Sequence, residues 1–152
     1  MKYLNYELIK PYQGQNFKIK KEYNDLFFHY EEGFYSESRY LNFMVDDLTE
    51  NYSTALVVGL GLGVIPQWLA NEKGAIVDVV DQDRELINVI NSYDYLSENI
   101  SIIHSDIFEY TQEKEYDLIV FDIWFDKDNI TQEIQNTLND RFTAKQICYP
   151  LL

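Results

Sequence analysis

Seven residues have the types and spacing for chemistry: Gly59, Gly61 and Gly63, and the carboxylates Asp81, Asp106, Asp122 and Asp126. The glycines stand on alternate positions in ALVVGLGLGVIPQWLA, between an apolar run and a helical pattern. Such glycines let the backbone pass close to a ligand in conformations that a side chain forbids. The same triplet also makes a tight turn with nothing bound. Asp81 ends the next apolar run, 22 positions after Gly59. A ribose-binding acid belongs there, because a carboxylate can accept hydrogen bonds from both ribose hydroxyls. A dinucleotide turn places its third glycine three positions after the second. Counted from Gly61 that position is Val64, and the third glycine here is Gly63. The Lys-Ser/Thr pair of a phosphate-gripping loop is missing. Asp122 directly follows LIVF, and an acid there needs a partner or a cleft. Asp126 reads equally as a loop or helix-cap carboxylate.

These residues need elements to bring them together. From Thr54 short apolar runs alternate with helical patterns. TALVVG, AIVDVVD, ISIIHSD, YDLIVFDI and AKQICYPLL read as strands. GVIPQWLANEKG, RELINVINSYDYL and NITQEIQNTLNDRF read as helices, and IFEYTQ as a short helical turn. Pro66 is tolerable in a first turn, where its missing N–H has no partner to lose. This alternation predicts an α/β fold with a doubly wound, mostly parallel sheet and right-handed crossovers. Ligands then bind beyond the carboxyl ends of the strands, and three of the first four ends carry an acid. Before this core, Phe17, Ile19 and Lys21 share a face of one hairpin arm, and Asn24-Asp25 supplies turn chemistry before Leu26–Tyr30. A helix capped at Ser36 or Ser38 follows, with Tyr40, Leu41, Met44, Val45 and Leu48 at helical spacing. Residues 1–50 are thus expected to form a hairpin-and-helix appendage and 51–152 the core.

Composition narrows the partners. Twenty-six acids against twelve bases leave a net charge of −14. Such a surface repels phosphate backbones, so nucleic acid is not expected as a partner. It keeps the protein soluble and tolerates cations such as amines and sulfonium compounds. Cys148 is the single cysteine, which precludes an intramolecular disulfide and fits a reducing cytoplasm. No run of about 18 apolar residues predicts a membrane span, and the N-terminus lacks a secretory pattern. Tyrosine is overused, at 13, which suits half-buried packing. His29 and His104 are too few and too scattered for a metal site, and no metal is called for.

In register, ALVVGLGLG, VVDQDRELI, IIHSDIFEY and YDLIVFDIW resemble class I S-adenosylmethionine-dependent methyltransferases. They most resemble the branch containing spermidine synthase and its methyltransferase-like relatives. The resemblance covers about residues 54–125, and more loosely the N-terminal hairpin and helix. It implies a Rossmann-like methyltransferase fold and S-adenosylmethionine, or its decarboxylated form, as cofactor. The glycine turn would approach the methionine and ribose parts. Asp81 would hold the ribose, with Gln82 beside it, and Asp106 and Ile107 would lie by the adenine. Asp122 would face the reacting centre, with Asp126 as a second catalytic acid. A carboxylate near an amine nucleophile can hold the ammonium, orient it and accept its proton. Trp124 and Phe125 offer cation–π contact or simple packing. Transfer from a sulfonium is driven by the cofactor, so the protein mainly supplies alignment.

The chain departs from the resembled pattern in three places. Three residues separate Asp122 from Asp126, where aminopropyltransferases typically have two, and the Pro-rich continuation is absent. The Asn-Pro-Pro-Tyr or Asp-Pro-Pro-Tyr element of nucleic-acid amino-methyltransferases is absent too. The resembled fold continues past its fifth strand, whereas this sequence stops at Leu152. A terminal edge strand invites association, so the N-terminal hairpin or a second subunit is expected to cover it. Three readings follow. The first is a small-molecule transferase acting on an amine or other cationic acceptor. The second is a catalytically silent binding or interaction protein. The third is a nicotinamide-dependent oxidoreductase, disfavoured by Val64.

Overall fold

The computed structural model describes residues 3–30, 33–36, 48–123 and 131–150. Strands β1 (Tyr12–Gln13), β2 (Phe17–Glu22), β3 (Asp25–Tyr30) and β4 (Gly33–Ser36) form an antiparallel sheet in that order. The alternation of β2 and β3 explains it. Phe17, Ile19, Leu26 and Phe28 are buried, while Lys18 and Lys20 point outward and are exposed. Lys21 shares the inward face, where its ammonium donates to the Tyr6 carbonyl and lies 4.3 Å from that ring's centre. The expected hairpin is therefore the middle of a larger sheet. Its turn lies one residue earlier than expected. Tyr23 and Asn24 take φ of 52° and 61°, and Glu22 pairs with Asp25. Two positive φ values are what a two-residue turn needs to match strand twist. Asp25 opens β3 instead. Ser36 belongs to β4, and residues 37–47 of the expected helix, Ser38 among them, lie outside the described residues.

The core sheet comprises β5 (Thr54–Val58), β6 (Ile76–Asp81), β7 (Ile100–His104), β8 (Tyr116–Phe121) and β9 (Ala144–Cys148). All pairings are parallel, in the order β7-β6-β5-β8-β9. Between strands run α1 (Val64–Glu72), α2 (Arg84–Ser92) and α3 (Gln132–Arg141). This is the doubly wound α/β architecture expected from the alternation. Its order reverses between β5 and β8, so the switch-point crevice opens beside Gly59 and Asp122.

Side chains alternate across the sheet and fill two cores. Ala55, Val57, Val77, Val79, Leu118 and Val120 join α1, α2 and the N-terminal sheet in one cluster. Leu56, Val58, Val80, Ile119 and Phe121 meet Leu138 and Phe142, from α3 and its end, in the other. Glu85 of α2 accepts from the Tyr12 hydroxyl at 2.9 Å and the Gln15 N–H at 3.1 Å, fixing the N-terminal sheet to that side. Asp78, buried in mid-β6, accepts from the Tyr116 hydroxyl at 2.6 Å and meets the Lys114 ammonium at 2.6 Å. Burial and this carboxylate push the Tyr116 phenol up.

Three segments are shorter than their patterns. The second helix stops at Ser92, and Asp94 takes φ 51°. IFEYTQ is a turn in which Glu109 and Tyr110 donate to the Asp106 carbonyl. The last strand ends at Cys148. Among the described residues no helix is long and apolar enough to cross a membrane.

Candidate functional site at the strand ends

The glycine turn is held mostly by its own chain. Gly59 donates to the Val80 carbonyl at 2.8 Å, and Gly63 to the Leu60 carbonyl at 2.8 Å. Gly59, Gly61 and Gly63 have φ of 101°, 50° and 77°, all in the left-handed half of conformational space. Gly63 is the N-cap of α1 and supplies no side-chain cap, and the first turn of α1 carries no acid. Segment 93–97 braces the turn from below. The Tyr95 hydroxyl donates to the Leu62 carbonyl. Buried Gln67 donates to the Tyr95 carbonyl at 2.9 Å and accepts from the Ser97 N–H at 2.8 Å.

Asp81 sits at the lip of this turn with 9% of its surface exposed. One carboxylate oxygen accepts from the Leu60 N–H at 2.8 Å, the other from the Asp83 N–H at 2.7 Å. Burial raises its pKa; the two N–H donors act against that shift, as does His104, while the Asp83 charge adds to it. Asp83 accepts from the Leu86 N–H at 3.1 Å and so caps α2. Gln82 is exposed between them.

Asp122 meets the same turn from the other side. Its N–H donates to the Val58 carbonyl at 2.8 Å, continuing β8 alongside β5. Asp106 follows Ser105, whose N–H donates to the Asp81 carbonyl at 3.0 Å. The Asp106 side chain accepts from the Phe108 N–H at 2.9 Å, closing its own loop. Ile107 buries its side chain in the second core. The sheet thus gathers Gly59, Gly61, Gly63, Asp81, Asp106 and Asp122 at one end. Asp126, with Trp124 and Phe125, lies outside the described residues.

Sequence reasoning missed His104 and Arg84. His104 stands opposite Asp81 in register, and only strand pairing reveals it. Among the described residues no group of three or more His, Cys, Asp and Glu is arranged to hold a metal ion. A cleft of about 230 Å³ opens at the other end of the sheet, beside Tyr52, Asp117, Lys145 and Gln146. Its Asp117 is occupied by Lys145 at 2.6 Å and by the Ser53 N–H at 2.7 Å, far from the strand-end acids.

A parallel doubly wound sheet with a glycine turn and strand-end acids places these residues where α/β folds of this kind bind their ligands. Residues 26–143 match the family model described as the methyltransferase small domain, and the chain belongs to that family. Among solved structures it is similar to human methyltransferase-like protein 13 in complex with SAH. Identity there is 18%, TM-score 0.48, and coverage 69% of this chain and 59% of that one. It is also similar to the N-methyltransferase NodS from Bradyrhizobium japonicum WM9 in complex with S-adenosylhomocysteine (SAH), at 21% identity and TM-score 0.42, covering 55% and 41%. A third is coclaurine N-methyltransferase bound to N-methylheliamine and SAH, at 18% and 0.47, covering 56% and 26%. The chain thus spans less than two thirds of each of these proteins. No curated protein matches it.

Proposed function

We propose that the chain binds S-adenosylmethionine at the carboxyl ends of β5 and β6 and transfers its methyl group to a small amine acceptor. The observation that carries this reading is the Asp81 carboxylate, pinned by two backbone N–H groups at the lip of the glycine turn. Each carboxylate oxygen has two acceptor sites, so capacity remains for ribose hydroxyls. The turn also argues against a pyrophosphate. The Gly59, Leu60 and Gly63 N–H groups are committed internally, and the surrounding acids repel phosphate. A sulfonium nucleoside avoids both penalties. The side-chain-free N-terminus of α1 suits the carboxylate of its methionine part.

In this mechanism Asp122 holds and orients the acceptor ammonium and takes its proton. The amine lone pair forms the new N–C bond as the C–S bond breaks, leaving S-adenosylhomocysteine. The spermidine-synthase resemblance adds a finer option: with the decarboxylated donor, the same geometry would pass an aminopropyl group to an amine. The acidic composition supports a cationic acceptor, and the single cysteine fits a reducing cytoplasm. Among the described residues β9 is an edge strand, which supports self-association through it; light scattering that finds only monomer would count against that.

Calorimetric titration with S-adenosylmethionine, its decarboxylated form and NAD tests the cofactor. Binding of the first or second without NAD is expected. Asp81→Asn should weaken it about tenfold or more, since it removes the charge facing the hydroxyls. Asp122→Asn should abolish turnover and leave cofactor affinity within a few fold. Unchanged turnover would remove Asp122 from the mechanism. The three-residue gap between Asp122 and Asp126 favours a second reading, a binding protein without turnover. Cofactor uptake with no product from a panel of amines would select it.

A further inference from the structure

His104 is held by two partners whose chemistry leaves one protonation state. Arg84 Nη2 lies 2.6 Å from its Nδ1, and its Nε2 lies 3.0 Å from the Gln82 carbonyl oxygen. A guanidinium only donates and a carbonyl only accepts. Nδ1 must therefore present a lone pair, and Nε2 must carry the hydrogen. The neutral Nε2–H tautomer satisfies both contacts. The doubly protonated ring would set N–H against N–H at Arg84, with two positive charges in contact.

This ring joins three pieces of the site: the end of β7, the turn after β6, and the first residue of α2. Asp81 stands directly opposite it in register. We propose that His104 is a positioning residue for the cofactor site, whose neutral Nε2–H imidazole locks the Asp81–Arg84 turn. The proposal rests on the cofactor reading above and adds a residue to its site. By tying Arg84 and the Gln82 carbonyl to the end of β7, the ring holds in place the segment whose Asp83 N–H pins the Asp81 carboxylate.

The test uses the whole chain, which has only two histidines, His29 and His104. Imidazole ¹H–¹⁵N NMR, assigned with His29→Gln, should show His104 as the Nε2–H tautomer at about pH 7.5. At that pH His104→Ala should bind S-adenosylmethionine roughly tenfold more weakly than the wild type. In His104→Asn the amide oxygen replaces Nδ1 as acceptor for Arg84, so binding should be rescued. An Nδ1–H tautomer overturns the proposal. So does an unchanged affinity in His104→Ala, or an equal loss in His104→Ala and His104→Asn. Failure of the wild type to bind at any pH removes the cofactor reading, and the ligand-linked half of this one with it. The tautomer then decides the lock by itself.

Discussion

At the scale of single residues, Gly59 answers to the chain before any ligand. Its φ is 101°, and a Cβ built on it would lie 2.1 Å from the Asp122 carbonyl oxygen. The glycine is what lets β8 run on past β5 so that Asp122 arrives beside the turn. Gly59→Ala meets both the forbidden φ and an immovable backbone atom, and should cost more than about 3 kcal/mol by urea unfolding. Gly63→Ala should cost less, because its added Cβ meets the flexible Leu96 Cδ2 at 2.9 Å. Equal losses at the two positions would sink this ranking. Asp81 makes the opposite bargain, since burial raises its pKa. Its charged form is disfavoured by folding, so it costs stability near neutral pH, and that cost disappears as pH falls through the raised value. Asp81→Asn should therefore match or exceed the wild type in Tm while losing cofactor affinity. A lower Tm would mean that its two accepted hydrogen bonds outweigh the buried charge.

At the scale of elements, the hairpin carries a correctable strain. Tyr23 is 97% exposed at φ 52°, so it pays the left-handed conformation without packing in return. Asn tolerates that conformation far better. Tyr23→Asn should raise stability by about 0.5–1 kcal/mol in urea titration; an unchanged or lower midpoint would show that the tyrosine contributes something else. The same turn shows where sequence reading succeeds and fails. Alternation in FKIKKE and DLFFHY exposes β2 and β3, because one face must be apolar. It does not place the turn, because Asn24 and Asp25 both have turn chemistry and only the Glu22–Asp25 pairing decides between them. β1 and β4 are short and take their structure from their neighbours, so no local pattern marks them. In the core, TALVV, IVDVVD and YDLIVF are legible because both faces are buried. The acids that follow those runs were legible for the same reason. His104 and Arg84 were not, since they meet only through the pairing of β6 with β7 and the entry into α2.

At the scale of the whole molecule, the net charge of −14 acts on folding and on binding with opposite signs in salt. Compacting the chain brings like charges together, so self-repulsion opposes folding. Attractive pairs offset part of it. Lys145 meets Asp117 at 2.6 Å but its side chain is 81% exposed, and pairs so open contribute about 0–1 kcal/mol. Salt shortens the screening length from about 30 Å at 0.01 M to about 8 Å at 0.15 M. Repulsion between distant acids fades over that range, whereas contact pairs such as Lys114–Asp78, with Asp78 buried, are screened less. The urea midpoint should therefore rise with added salt. S-adenosylmethionine carries a sulfonium, an ammonium and one carboxylate, hence a net positive charge. Under the proposed function it would be drawn to a crevice rimmed by Asp81, Asp83, Asp106 and Asp122, and that attraction would be screened by the same ions. Its affinity should fall about two- to fivefold over the same salt range, while stability climbs. Stability and affinity measured on one salt series thus test the acidic surface twice. If both rise, the acids do not draw the ligand; if stability falls, local ion pairs rather than long-range repulsion govern this fold.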